Sequence, residues 1–146
     1  VGPHGVGSVQ LFIDADFEQH HFTLVKDPRH HPSLQKLCVL DLLANNTDRK
    51  AGHCLLSRSG SIFGIDHGLC FSSEFKLRTV IWDFANQPID EALMSGVEQV
   101  CEGSVSGVAD WLEEREIEAL IGRAQWLRER PFFPEDDGYR WPWPLI

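Results

Sequence analysis

The chain of 146 residues carries 13 Lys plus Arg against 22 Asp plus Glu, a formal charge of −9. That length makes one domain or one half of a two-lobed unit. The acid excess argues against non-specific nucleic-acid binding and polybasic membrane attachment, both of which need clustered cations. No apolar run approaches the roughly 20 residues that span a bilayer, so no stable membrane insertion is expected.

Hydrophobic residues make up 42% of the sequence, with nine Phe and five Trp, enough for a packed core. The opening VGPHGVGS has neither the charged nor the apolar region of a secretory signal, and a cytoplasmic location is expected. Because the chain opens on Val1 rather than Met, it reads as part of a longer protein. Cys38, Cys54, Cys70 and Cys101 contain no CxxC pair, which disfavours structural zinc. Buried free thiols are the favoured reading, with two disulfides the alternative.

In chain order, SVQLFIDAD (8–16) has apolar residues at 9, 11 and 13 and reads as a short strand. FEQHHFTLVKDPRHHP (17–32) is polar and rich in histidine, and its paired histidines are expected at the surface, with Pro32 closing the segment. Ser33 suits an N-cap for LQKLCVLDLLANN, a helix apolar nearly all round and therefore buried. A polar turn follows, then HCLLS and SIFGID, two strands joined by Arg58, Ser59 and Gly60 as a hairpin. VIWDFANQP fits helix or strand. Helical pattern resumes at Ile89, with Gly103 dividing a first helix from a second that Ser104 or Ser106 caps and Pro131 ends. Glu113, Glu114 and Glu116 with Arg115, Arg123 and Arg128 suggest solvated i,i+4 pairs. The tail, with Pro142 and Pro144, cannot be a regular helix, and Trp141 and Trp143 either dock on the domain or mark a partner surface. The fold class is α+β and mostly helical.

Chemistry concentrates in NNTDRKAGH (45–53) and FGIDHGLCF (63–71). Two acids on loops flanking a rigid hairpin suit phosphoryl transfer: one carboxylate orients the nucleophile, the other holds a divalent metal on the phosphates. An Asn-Thr-Asp stretch also serves ordinary helix ends and turns, and Asp-His-Gly can be a simple turn.

Asp48-Arg49, a polar residue five positions after the acid, a hairpin, and Ile65-Asp66-x-Gly68 together resemble the phosphatidylinositol 3-/4-kinase and HipA-like branch of the protein-kinase fold. NNTDR and GIDHGLCF are especially similar to type II phosphatidylinositol 4-kinases and to an actinobacterial group of kinase-like proteins. The tight match covers residues 37–71.

The resemblance implies a kinase-like C-lobe with a short β-hairpin between the catalytic loop and the metal-binding D-x-G turn. It makes Asp48 the catalytic-loop acid, Arg49 its partner, and Asp66 the metal-binding acid. It places Lys50, Phe12 in a hinge strand, and Ile65 at the nucleotide, with ATP and Mg²⁺ or Mn²⁺ as cofactors. His53 stands where the family has a metal-binding Asn, and an imidazole shifts preference toward Mn²⁺ or Zn²⁺. No glycine-rich loop and phosphate-binding Lys on a strand precede the hinge.

The implied organisation is a hinge-like strand and N-terminal remnant at 1–16, a C-lobe at 17–130 and a Pro/Trp-rich tail at 131–146. The implied partners are a nucleotide, an unidentified hydroxyl acceptor and a missing N-lobe or upstream sequence. Two alternatives remain: a non-catalytic pseudokinase-like scaffold, and a metal-dependent phosphohydrolase using Asp48, His53, Asp66 and His67.

Overall fold

A computed structural model of the chain describes residues 10–146 together with Pro3 and Gly5. Among the described residues the elements are β1 (Ala15–Asp16), α1 (His21–Leu24), α2 (His31–Ala44), β2 (Cys54–Ser57), β3 (Ile62–Gly64), α3 (Glu91–Cys101), α4 (Ser106–Ala109) and α5 (Glu114–Glu129). The architecture is α+β, with one small antiparallel sheet in the order β1-β2-β3. No described helix is long and apolar enough to cross a membrane.

Helix α2 organises the molecule. It starts earlier than Ser33, because Pro32 does not close the preceding segment but lies in the helix's first turn. There the missing N–H costs nothing and the fixed φ suits the helix. Just upstream, a 3₁₀ turn at Pro28–His30 is capped by Asp27, whose carboxylate accepts the Arg29 backbone N–H. The helix ends where Asn45 turns left-handed at φ 52. Leu34, Cys38, Val39 and Leu42 of α2 pack into one core with Leu77, Val80, Ile81, Phe84, Val97, Ala124, Leu127 and Phe133. Each large side chain fully buried here contributes roughly 1.5–3 kcal/mol.

The hairpin forms as its sequence suggests, with Cys54 opposite Gly64 and Leu56 opposite Ile62. The strand expected over 8–16 does not: residues 10–14 are not in a strand, residues 8 and 9 lie outside the described residues, and pairing is confined to Ala15 with Ser57 and Asp16 with Leu56. Leu11 and Phe12 are exposed, with no layer of described residues over them to reward an extended apolar segment. Asp14 instead ties to the hairpin turn, accepting Arg58 Nε at 3.0 Å.

Other expectations need correction. VIWDFANQP is neither helix nor strand but irregular chain that buries Val80, Ile81, Trp82 and Phe84. His21 is fully buried rather than superficial: Nε2 lies 2.8 Å from Asp83 Oδ2, and its ring meets Phe22 edge-on. His31 sets its edge on Phe84 and its Nε2 on the Val25 carbonyl at 2.8 Å.

The second C-terminal helix is two, because Glu116 reaches back to the Glu113 N–H at 2.9 Å and starts α5 there. Neither serine caps it. Of its arginines, Arg115 pairs with Glu113 and Arg128 with Glu98 on α3, while Arg123 turns inward to the carbonyls of Leu43 and Ser72. In the tail, Trp141 packs on the core and Trp143 is exposed. All four cysteines are free thiols, and burial pushes Cys54 up to about 12 and Cys70 to about 11.

Candidate active site

The loop after α2 is built on a buried ion pair. Arg49 donates from Nε to both Asp41 oxygens at 3.1 and 3.0 Å, and from Nη2 to Asp41 Oδ1 at 2.9 Å. Both side chains are essentially sealed from solvent. Burial opposes the Arg49 charge, but the adjoining Asp41 carboxylate overrides it and holds Arg49 above its ordinary range. Asn46 Nδ2 and Thr79 Oγ1 complete the acceptor needs of Asp41 at 2.9 and 3.2 Å, which a buried carboxylate requires.

Arg49 also spans to the second motif. Nη1 donates to the Ile65 carbonyl at 2.8 Å, and Nη2 lies 2.8 Å from His67 Nε2. A guanidinium only donates, so Nε2 of His67 accepts and the ring proton sits on Nδ1. Burial, then the Arg49 cation, lower the His67 pKa, which keeps the ring neutral. Gly64 lets the hairpin approach: a Cβ there would stand 2.6 Å from Leu37 Cδ2 and 3.5 Å from Arg49 Nη1.

Backbone bonds fix the rest of the loop. The Arg49 N–H donates to the Arg78 carbonyl and the Val80 N–H to the Arg49 carbonyl, forming a parallel bridge beside Thr79. The Ala51 N–H donates to the Leu145 carbonyl at 2.7 Å, so the tail supports the loop from its far side. Asn45 donates from Nδ2 to the carbonyls of Ser72 and Glu74 and accepts the Lys76 N–H.

The resulting site presents its acids outward. Asp48, whose N–H is held by Asn46 Oδ1 at 3.0 Å, is partly exposed and takes Lys50 Nζ on Oδ2 at 2.8 Å. Asp66 ends the hairpin's outgoing strand in a left-handed residue, φ 56, with its carboxylate 60% exposed. Its Oδ2 lies 3.5 Å from His53 Nε2. Asp66 and His53 are therefore brought together, and Arg49 joins their two segments. Ile65 is half-buried and serves through its backbone; Phe12 is exposed.

Among the described residues no group of three or more His, Cys, Asp and Glu side chains is placed to hold a metal. Two donors at a solvent-facing edge still fit a divalent cation whose other ligands are phosphate oxygens and water, the habit of Mg²⁺ in nucleotide sites. His53 Nδ1 accepts the Lys50 N–H at 3.4 Å, which leaves the ring proton on Nε2. To ligate a metal through Nε2 the ring must exchange tautomers and give up that long bond.

Sequence comparison bears on this geometry directly. The model of the family described as phosphatidylinositol 3- and 4-kinase matches residues 3–117. The chain belongs to the phosphatidylinositol 3- and 4-kinase family. Protein Rv2133c of Mycobacterium tuberculosis is 42% identical over 118 residues, which are 77% of this chain and 42% of that protein. Phosphatidylinositol 4-kinase gamma 4 of Oryza sativa subsp. japonica is 34% identical over 87 residues, 56% of this chain and 15% of that one. Phosphatidylinositol 4-kinase gamma 3 of Arabidopsis thaliana is 33% identical over 84 residues, 53% and 14% respectively. The chain thus spans less than half the length of these relatives. No solved structure matches it.

Residues 45–53 and 63–71 both lie inside the matched stretch of this family member. Its sequence alone did not reveal Asp41, whose role depends on where Arg49 folds. The one signal was an acid at helical spacing from Leu34, Leu37 and Cys38 on a helix otherwise apolar there.

Proposed function

We infer that this chain supplies the C-lobe part of a kinase that transfers the γ-phosphate of ATP to a hydroxyl acceptor. Kinase-like phosphotransfer is the chemistry that family membership supports. The observation carrying the finer reading is the buried Arg49, which fixes the Asp48 loop to α2 through Asp41 and to the Asp66 turn through Ile65. Phosphoryl transfer depends on positioning more than on covalent chemistry, so a rigid link between the two acids is the feature it needs.

In this reading Asp48 orients the acceptor hydroxyl and takes its proton. Asp66, with His53 beside it, holds the divalent cation, which would neutralise charge on the phosphates. Lys50, held on Asp48, faces the phosphates from the same loop. Ile65 lies at the nucleotide's edge, with Phe12 as its hinge-side contact. Arg49 positions both acids and touches neither substrate. Exposed Leu11, Phe12, Phe17 and Phe63 lie on or beside the small sheet and suit cover by an N-lobe.

The test is calorimetric titration with Mg²⁺ and Mn²⁺, each with and without a non-hydrolysable ATP analogue. Binding that needs metal and nucleotide together, and is lost in Asp66→Ala, is the expected result. Tight metal binding without nucleotide would instead favour the hydrolase, and nucleotide binding indifferent to Asp66→Ala would sink the assignment.

A further inference from the structure

A cavity of about 460 Å³ lies between α5, the 73–75 segment and the tail. Its walls include Phe75, Gly122, Trp126, Leu127 and Pro134, and its charged lining residues are Arg123 and Arg140, with no acid among those lining it. In a chain of net charge −9 that is a local inversion of sign. The volume falls within the range of small-molecule sites, which are apolar with a few placed polar groups.

Arg123 is the unusual member. Nε donates to the Leu43 carbonyl at 2.7 Å and Nη1 to Ser72 O at 3.3 Å. Nη2 is buried with no hydrogen-bond partner. No ion pair to Arg123 occurs among the described residues, whereas Arg140 has Asp137 at 2.9 Å. Burial lowers the Arg123 pKa, as it must for a cation that loses water without gaining a counter-ion. An unpartnered buried donor is destabilising, more so when charged, and an anion beside it would recover that loss. For Nη2 to meet an anion in the cavity the guanidinium must turn, which gives up the long Nη1 bond to Ser72. At the cavity wall and rim, Arg140 lies over the Phe75 ring at 4.8 Å, and Phe75 and Trp126 are both substantially exposed for side chains of their size.

We propose that this cavity binds a monoanionic amphiphile, its carboxylate on Arg123 and its apolar chain against Phe75, Trp126 and Leu127. Polarity divides the site accordingly: one uncompensated cation for the head, and an apolar slot for the body. The cavity contains none of Asp48, His53 or Asp66, so the result stands whether or not the phosphotransfer reading does.

The experiment is calorimetric titration of the chain with decanoate and with decanol, below the concentration at which either aggregates. Decanoate is expected to bind saturably at one site, at least tenfold tighter than decanol. Arg123→Gln should weaken decanoate at least tenfold and leave decanol unchanged. Because Arg123 also anchors α5 to the Leu43 carbonyl, a second variant guards the test. Gly122 lines the cavity and a Cβ there has open space before it, so Gly122→Phe fills the cavity while keeping the Arg123 residue, and should abolish binding while the melting curve stays cooperative. Equal affinity for decanoate and decanol, binding that survives Gly122→Phe, or no saturable decanoate binding would each overturn the proposal.

Discussion

Arg49 grips the carboxylate of Asp41 with three donor contacts of 2.9–3.1 Å, and neither side chain reaches solvent. Removing one partner leaves the other charge buried and uncompensated, so Asp41→Ala is expected to cost about 3–5 kcal/mol. The double variant Asp41→Leu with Arg49→Met should cost clearly less in stability, since it buries no lone charge. It should still lose nucleotide binding, because the link to the Ile65 carbonyl goes with the guanidinium. Urea unfolding of both variants beside nucleotide titration separates the two roles. Equal destabilisation by single and double variants would mean the pair is held by its surroundings.

Asn45 ends α2 and anchors the 72–76 segment through three side-chain bonds. It also occupies a left-handed conformation, φ 52, which Asn tolerates and Ala does not. Asn45→Ala should therefore cost more than Asn45→Gly, by about 1 kcal/mol, while both expose the Lys76 amide to rapid hydrogen exchange. Protection at that amide in either variant would show that the segment is held by other contacts.

Local pattern carried the helix and hairpin into the sequence. Leu34, Leu37 and Cys38 announce α2 by spacing, and two short strand-like runs joined by Arg58, Ser59 and Gly60 announce the hairpin. Asp48 and Asp66 stood out because acids flanking a hairpin have a chemical use. What stayed hidden depends on partners distant in sequence. Asp83 lies 62 residues from His21 and supplies the partner of its buried Nε2. Arg123 looked solvated because its neighbours on α5 are charged, yet its acceptors belong to residues 43 and 72. The 79–86 segment has strand-like residues without strand pairing, since its hydrogen bonds go to the Arg49 loop and the tail.

His53 is the departure most open to chemical test. A carboxamide oxygen is a harder ligand than an imidazole nitrogen, so His53→Asn should raise Mg²⁺-supported nucleotide binding relative to Mn²⁺ severalfold. The variant also removes the acceptor of the Lys50 N–H, a 3.4 Å bond whose loss should barely move the melting temperature. An unchanged Mg²⁺ to Mn²⁺ ratio would mean His53 does not touch the metal.

Acid should loosen the join between α1 and the 80–86 segment. The hydrogen bond from His21, chiefly, holds the Asp83 carboxyl below its ordinary range. A depressed carboxylate binds fewer protons folded than unfolded, so its contribution is complete above the unfolded value, about 3.9. It fades as pH falls from there through the lowered folded value. Asp83 is 40% exposed at its side chain, so solvent screening keeps the effect modest. Asp83→Asn should be less stable than wild type near neutrality, and the gap should narrow below about pH 4 as the wild-type carboxyl protonates. Guanidinium unfolding of the two proteins across pH 3–7 measures this. A gap that holds constant throughout would assign the pairing of His21 with Asp83 to packing rather than charge.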